Sequence, residues 1–209
     1  GEYFAGIVAE RRSQPADDVI SDLVSAEVDG EQLSDEAIYS FLRLLLPAGA
    51  ETTYRSSGNL LYLLLTHPDQ LEAVRSDRSL LPQAIEEGLR CEPPLLTINR
   101  TTTVEVELSG VTIGPGESIS PHIGSANHDE ARWDDPETFD IFRAAQPHIA
   151  FAQGPHMCLG MHLARLETRA LLSRVFDRLP DLALDPGDSD PYIRGDIFRS
   201  PTSLPVRFR

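Results

Sequence analysis

The sequence contains no lysine; its 18 basic residues are all arginine and face 33 acidic ones, for a formal charge of -15. A chain this acidic is repelled by phosphate backbones and anionic lipid surfaces, so neither nucleic acid nor a membrane is an expected partner. Cysteine is nearly absent too. Cys91 and Cys158 allow one disulfide at most, which excludes a disulfide scaffold and fits a reduced, cytoplasmic setting. Long apolar runs are missing: residues 41–50 and 60–65 are interrupted or far short of the roughly 20 needed to span a bilayer. No charged-then-apolar leader opens the chain, so secretion is not expected. What is there, 41% hydrophobic residues in 209, suffices for one sizeable core or two small ones.

The amino-terminal 99 residues read as helical. Residues 2–12 have Phe4, Ile7 and Val8 on one face, and Pro15 ends that run. Asp17 or Asp18 then starts a short helix that Gly30 is expected to end. Ser34 is a good N-cap, with Asp35 and Glu36 at the positive end of the dipole and Leu33 and Ile38 spaced as a hydrophobic staple. The helical pattern then continues to about Leu65, roughly 45 Å at 1.5 Å per residue, so its middle is expected to be buried. That middle reads Pro47-Ala48-Gly49-Ala50-Glu51-Thr52-Thr53, and Pro47, lacking an N–H and crowding the Arg43 carbonyl, is expected to distort it. Pro68 and Pro82 sit as first-turn prolines of helices over 68–76 and 82–91, the second ended by Glu92-Pro93-Pro94.

Residues 100–123 change character. Thr101, Val104, Val106, Leu108, Val111, Ile113 and Ile119 are β-formers separated by Gly110, Gly114-Pro115-Gly116 and Pro121, which predicts a small twisted sheet. Residues 124–150 lack a period and read as an ordered meander. Residues 151–180 hold a glycine-bracketed loop and a long helix over 159–179, and the tail, 181–209, has the short β-like runs of a hairpin. The expected fold is therefore mainly α with small β-sheets.

Chemistry concentrates around Cys158. It sits between Gly154 and Gly160 just before a long helix, whose unpaired N–H groups and partial positive charge favour thiolate over thiol. The two glycines permit a tight turn and close approach of a flat ligand. A thiolate so held can bind iron axially. Taken alone, Cys158 also fits an ordinary buried cysteine at a helix start. A zinc site from His156, Cys158 and His162 is disfavoured, because no second cysteine or carboxylate stands at a familiar spacing.

The segment Phe151-Ala152-Gln153-Gly154-Pro155-His156-Met157-Cys158-Leu159-Gly160, with Leu163-Ala164-Arg165-Leu166-Glu167 beyond it, resembles the haem-binding signature of bacterial cytochromes P450, Phe-x-x-Gly-x-His/Arg-x-Cys-x-Gly. One departure is Ala152, where that family commonly has Gly. Three further matches follow the family's order. Ala48-Gly49-Ala50-Glu51-Thr52 resembles the oxygen-binding helix. Glu87-Gly88-Leu89-Arg90 resembles its Glu-x-x-Arg. Asn99-Arg100 resembles the strand start whose arginine binds a haem propionate. The resemblance covers residues 1–209 and implies the carboxy-terminal portion of the P450 fold, complete members being about twice this length.

The resemblance implies haem b as cofactor, with Cys158 as the iron ligand, His156 and Arg100 on the propionates, and Phe151, Gly154, Gly160 and Gly49 shaping the cofactor's surroundings. It implies a haem-thiolate monooxygenase that inserts one oxygen atom of O2 into a small, apolar organic substrate. Thr52 and Glu51 would handle oxygen and protons, while Ala48 and Leu95, Leu96, Thr97 and Ile98 would face the substrate. Other readings stay open: a kinked core helix at 48–52, an exposed strand arginine at 100, an exposed helix-surface pair at 87 and 90. A third partner for Glu87 and Arg90 would be Arg143, since Thr138 stands where some members have that arginine. His148 lies either near the haem or in a structural role, and Cys91 reads as a small buried residue. A ferredoxin-type electron donor is implied, with Arg165 and Arg169 as docking cations or plain solvated surface. The competing reading is a haem-free or non-catalytic P450 fragment that self-associates or needs a missing amino-terminal half.

Overall fold

The computed structural model describes residues 2–185, 187 and 191–209. The chain divides into two compact units, residues 1–51 and 52–209.

In the first unit, α1 (Glu2–Ser13) and α2 (Val19–Ser25) precede a hairpin of β1 (Glu27–Val28) and β2 (Glu31–Gln32), after which α3 (Asp35–Thr66) begins. Val8, Val24, Ile38 and Leu42 form the buried cluster, with Phe4 and Leu33 packed against it. Asp18 starts α2 by accepting the Ser21 N–H at 2.8 Å. The helix stops at Ser25 rather than at Gly30. Asp29 and Gly30 both take positive φ, 55° and 83°, and turn the hairpin instead. Two consecutive left-handed residues suit a hairpin turn whose twist matches its strands. Ser34 accepts the Ala37 N–H at 3.2 Å, capping α3.

The helix α3 is continuous from Asp35 to Thr66, and Pro47 does not interrupt it. The expectation of a buried middle is corrected, since Leu46 is 62% exposed and residues 47–50 are exposed as well. Burial follows tertiary packing and not helix length: Ile38 and Leu42 are buried near the start of α3, and full burial resumes at Ser56 and Ser57.

In the second unit, α4 (Pro68–Ser76) starts on its proline, α5 (Leu81–Cys91) has Pro82 in its first turn, and both pack with the end of α3. Leu60, Leu64, Val74, Leu81, Leu172 and Phe176 anchor this core, each worth about 1.5–3 kcal/mol when fully buried. α5 is buried nearly all round, and a Cβ at Gly88 would meet Leu60 Cδ1 at 2.9 Å, so glycine lets α5 approach α3. Asn59, fully buried on α3, donates to the carbonyls of Glu92 (3.0 Å) and Arg199 (3.2 Å), tying the end of α5 to the tail.

The single sheet expected over 100–123 is instead two separate antiparallel pairs. β3 (Arg100–Thr101) pairs with β6 (Ser118–Ile119), and β4 (Val106–Leu108) pairs with β5 (Val111–Ile113). Gly114-Pro115-Gly116 prevents their merger, and Val104, Leu108 and Val111 are exposed because the pairs cover no core. After α6 (Ile123–Ala126) the meander has no regular element until a 3-10 turn over Gly154–His156. Helix α7 (Met161–Arg178) begins two residues later than expected. The tail pairs β7 (Ala183–Leu184) with β10 (Val206–Arg207) around an inner pair, β8 (Ile193–Arg194) and β9 (Ser200–Pro201). Residues 186 and 188–190 of the expected tail hairpin lie outside the described residues. No helix among the described residues is long and apolar enough to cross a membrane.

Candidate functional site

Helix α5 supplies the scaffold. Arg90 is 1% exposed and grips Glu87 twice, Nε to Oε2 and Nη2 to Oε1, both at 2.8 Å. Its remaining N–H groups reach the carbonyls of Asn127 (3.0 Å), Pro136 (2.7 Å) and Thr138 (3.1 Å), and its Cζ lies 5.3 Å from the centre of the Trp133 ring. Glu87 also accepts the Asp140 N–H (3.0 Å) and Arg143 Nε (3.3 Å). Burial opposes the Arg90 charge, yet the Glu87 carboxylate outweighs it and holds the guanidinium above its ordinary value. This pair is not on the surface. The arginine beside it is Arg143, which donates to the carbonyls of Asp134, Asp135 and Thr138, so position 138 contributes only its backbone.

The Cys158 loop hangs from this meander. Phe151 O accepts the Cys158 N–H at 2.9 Å, and Gly154 O accepts the Met157 N–H at 3.0 Å. Cys158 is exposed, not the buried cysteine of the ordinary alternative, while Cys91 is buried and burial pushes its thiol up to about 12. His156 and Gly160 are exposed and Phe151 is half-buried. Gly154 has a φ of 81°, as its tight turn requires, but Gly160 does not: its φ is -84°, open to any residue.

Ala152 carries the turn's strain. Its φ of 59° is left-handed, a conformation that costs an alanine about 1–2 kcal/mol. Ala152→Gly is therefore expected to raise stability by up to about 1 kcal/mol, part of the relief being offset by glycine's freer unfolded state. A thermal melt reads this, and an unchanged or lower midpoint refutes the strain.

The sequence reading missed Glu86. Arg165 reaches its carboxylate with Nε (2.7 Å) and Nη2 (2.8 Å), and His148 Nε2 lies 3.2 Å from Oε2. His148 Nδ1 accepts the Ala150 N–H at 3.1 Å, which leaves the ring proton on Nε2, where it donates to Glu86. His148 and Arg165 are thus both tied to Glu86, while Arg169 is exposed. No local signal pointed to Glu86, because its partners stand 62 and 79 positions away. Burial would raise the Glu86 pKa, but Arg165 and His148 outweigh it and hold it at about 2, below its ordinary 4.5. A depressed carboxylate stabilises the fold above its unfolded value and loses that contribution as pH falls through the folded one. The stability gap between the protein and Glu86→Gln is thus expected to be full above about pH 5 and to close towards about pH 2 in urea titrations. A pH-independent gap would refute it.

The remaining predicted residues fall into two groups. Ala48, Gly49, Glu51 and Thr52 share just over one turn of α3, with Thr52 half-buried, and a Cβ at Gly49 would meet nothing within 4 Å. Downstream, Ser57 on the same helix hydrogen-bonds Thr168 of α7 at 3.2 Å between buried hydroxyls. Leu95, Leu96, Thr97 and Ile98 are half-buried between two segments: the Leu96 N–H reaches Ile197 O (2.8 Å) and the Ile98 N–H reaches Pro121 O (3.3 Å). Arg100 is half-buried on β3, and its Nη1 donates to Asn99 O at 2.9 Å.

The sequence pattern of the family Cytochrome P450 matches residues 2–195. The chain belongs to the cytochrome P450 family. It is 41% identical over 208 residues to Cytochrome P450 107B1 of Saccharopolyspora erythraea, covering 99% of this chain and 51% of that protein. Over 208 residues it is 42% identical to a Steroid C26-monooxygenase of Mycobacterium tuberculosis, covering 99% and 52% of the two chains. Among solved structures, HmtN, a post-tailoring hydroxylase of himastatin biosynthesis, superposes with a TM-score of 0.92 at 38% identity, over 100% of this chain and 56% of that one. CYP109E1 of Bacillus megaterium, in complex with testosterone, gives 0.91 at 37% identity, over 99% and 57%. The fold is the P450 fold, and the chain spans about half the length of the P450 relatives it matches.

The residues present fit the haem that P450 membership implies. The donor is one exposed thiol. Gly160 is small where neither its backbone angles nor a neighbour within 4 Å requires it, which leaves room beside the thiol for a flat group. Exposed Met157 and Leu159 offer apolar surface on either side, and His156 is a polar partner suited to a propionate.

Proposed function

We propose that this chain carries the haem-thiolate centre of a P450 monooxygenase that inserts one oxygen atom of O2 into a small, apolar organic substrate. When bound, haem b supplies the oxygen and electron chemistry that side chains lack. Cys158 would be the iron ligand, an exposed thiol whose backbone N–H is held by the Phe151 carbonyl. His156 and Arg100 would hold the propionates, with Phe151, Gly154, Gly160 and Gly49 leaving room for the ring. On α3, Thr52 would supply a hydroxyl donor on the oxygen side of the haem, and Glu51 would hold and pass on protons there. Ala48, Leu95, Leu96, Thr97 and Ile98 would form the substrate wall; their apolar majority, and relatives named for steroid oxidation or solved with testosterone, support an apolar substrate. Electrons would come from a ferredoxin-type carrier in the cytoplasm.

The observation that carries the proposal is the exposed Cys158 in its glycine-bounded loop, in a fold that also buries the Glu87–Arg90 pair. A second reading, a haem-free piece that self-associates or needs another half, is favoured by exposed Leu44, Leu46, Leu159, Leu163 and Leu166 and by the half-length match. One spectrum separates the two. Reduced protein under carbon monoxide is expected to show the red-shifted Soret band of thiolate-ligated haem. An absent Soret band, with sedimentation showing dimers or larger species, supports the second reading.

A further inference from the structure

We infer that Glu86 is a positioning residue for Cys158, holding the thiol loop at both shoulders through one carboxylate. Cys158 is flanked by His148 ten residues before it and Arg165 seven residues after it, and both side chains converge on Glu86. His148 fixes the loop's entry by accepting the Ala150 N–H. Arg165 fixes its exit from α7 and lays its guanidinium 4.6 Å from the centre of the Phe151 ring. Phe151 is the residue whose carbonyl receives the Cys158 N–H at 2.9 Å. The path from Glu86 to the thiol's own backbone therefore runs through three contacts: Glu86 with Arg165, Arg165 on Phe151, and Phe151 with Cys158.

The placement of Glu86 makes the grip firm. Its neighbour Glu87 is locked by Arg90 and Arg143, so the helix turn bearing Glu86 cannot shift without breaking a buried network. A bidentate carboxylate–guanidinium pair also fixes orientation, which a point charge does not. Glu87 thus ties α5 to the meander, while Glu86, one residue earlier, ties it to the thiol loop.

The role matters to oxidation only under the haem-thiolate reading, but its test needs no haem. Hydrogen exchange in Glu86→Ala is expected to speed the Cys158 amide about tenfold, the size of losing one charge-assisted hydrogen-bond pair. The amides of Leu71 and Val74 in α4 should keep their rates. Arg165→Lys, which retains the charge but not the fork, is expected to speed the same amide and serves if Glu86→Ala does not fold. Haem-loaded protein would add a partial loss of the red-shifted carbon monoxide band in both variants. An unchanged Cys158 amide, or one that rises in parallel with Leu71 and Val74, overturns the positioning role. Failure of the haem reading would show separately, as an absent Soret band with the exchange result intact.

Discussion

Arg90→Ala is expected to remove about 3–5 kcal/mol, a large share of the roughly 5–15 kcal/mol by which domains are stable, because it strands the Glu87 carboxylate in a buried site. Glu87 would keep only the Asp140 N–H and Arg143. The carbonyls of Asn127 and Pro136 would each lose the Arg90 donor, and a buried carbonyl left unpaired costs about 1–3 kcal/mol. Arg90→Lys is expected to recover little, since one ammonium cannot span two carboxylate oxygens and three carbonyls. Urea unfolding followed by circular dichroism measures the loss. A cost under about 1 kcal/mol, the range of exposed pairs, would mean that the network is solvated.

Cys158→Ser is expected to abolish the red-shifted carbon monoxide band of haem-loaded protein and to lower oxidation by well over a hundredfold. Substitutions in a metal's outer shell already cost about 10–100-fold, and this one removes the ligand. A serine hydroxyl preserves shape at an exposed loop position, so the fold should not change. Cys91→Ser provides the contrast. That thiol is buried and pushed up to about 12, so it should leave the band intact while costing some stability. A Cys158→Ser protein that kept the band would require another sulfur or a different ligand.

Much of the architecture was legible because its signals are local. Pro68 and Pro82 start helices through their own fixed φ, and Ser34 caps α3 through a hydroxyl three residues from its partner. The errors share the opposite cause. The Asp29-Gly30 turn ended one helix early, because a left-handed pair competes with helix continuation. The β-formers of residues 100–123 split into two pairs, because the Gly-Pro-Gly interruption outweighed propensity. Arg165 read as an exposed helix cation, yet its partner is on another helix.

The sequence alone determined which chemistry is available: one thiol in a glycine-bounded loop, an acid–alcohol pair on a long helix, a Glu-x-x-Arg helix, and a net charge of -15. Each is a property of residue types at short spacing. The tertiary structure decided which groups meet: that Arg143 completes the Glu87 network, that Cys158 faces outward while Cys91 is buried, and that Glu86 holds both ends of the thiol loop. The physical reason is distance along the chain. Contacts across 50–80 residues are specified by how a core packs, and no spacing rule in the sequence encodes them.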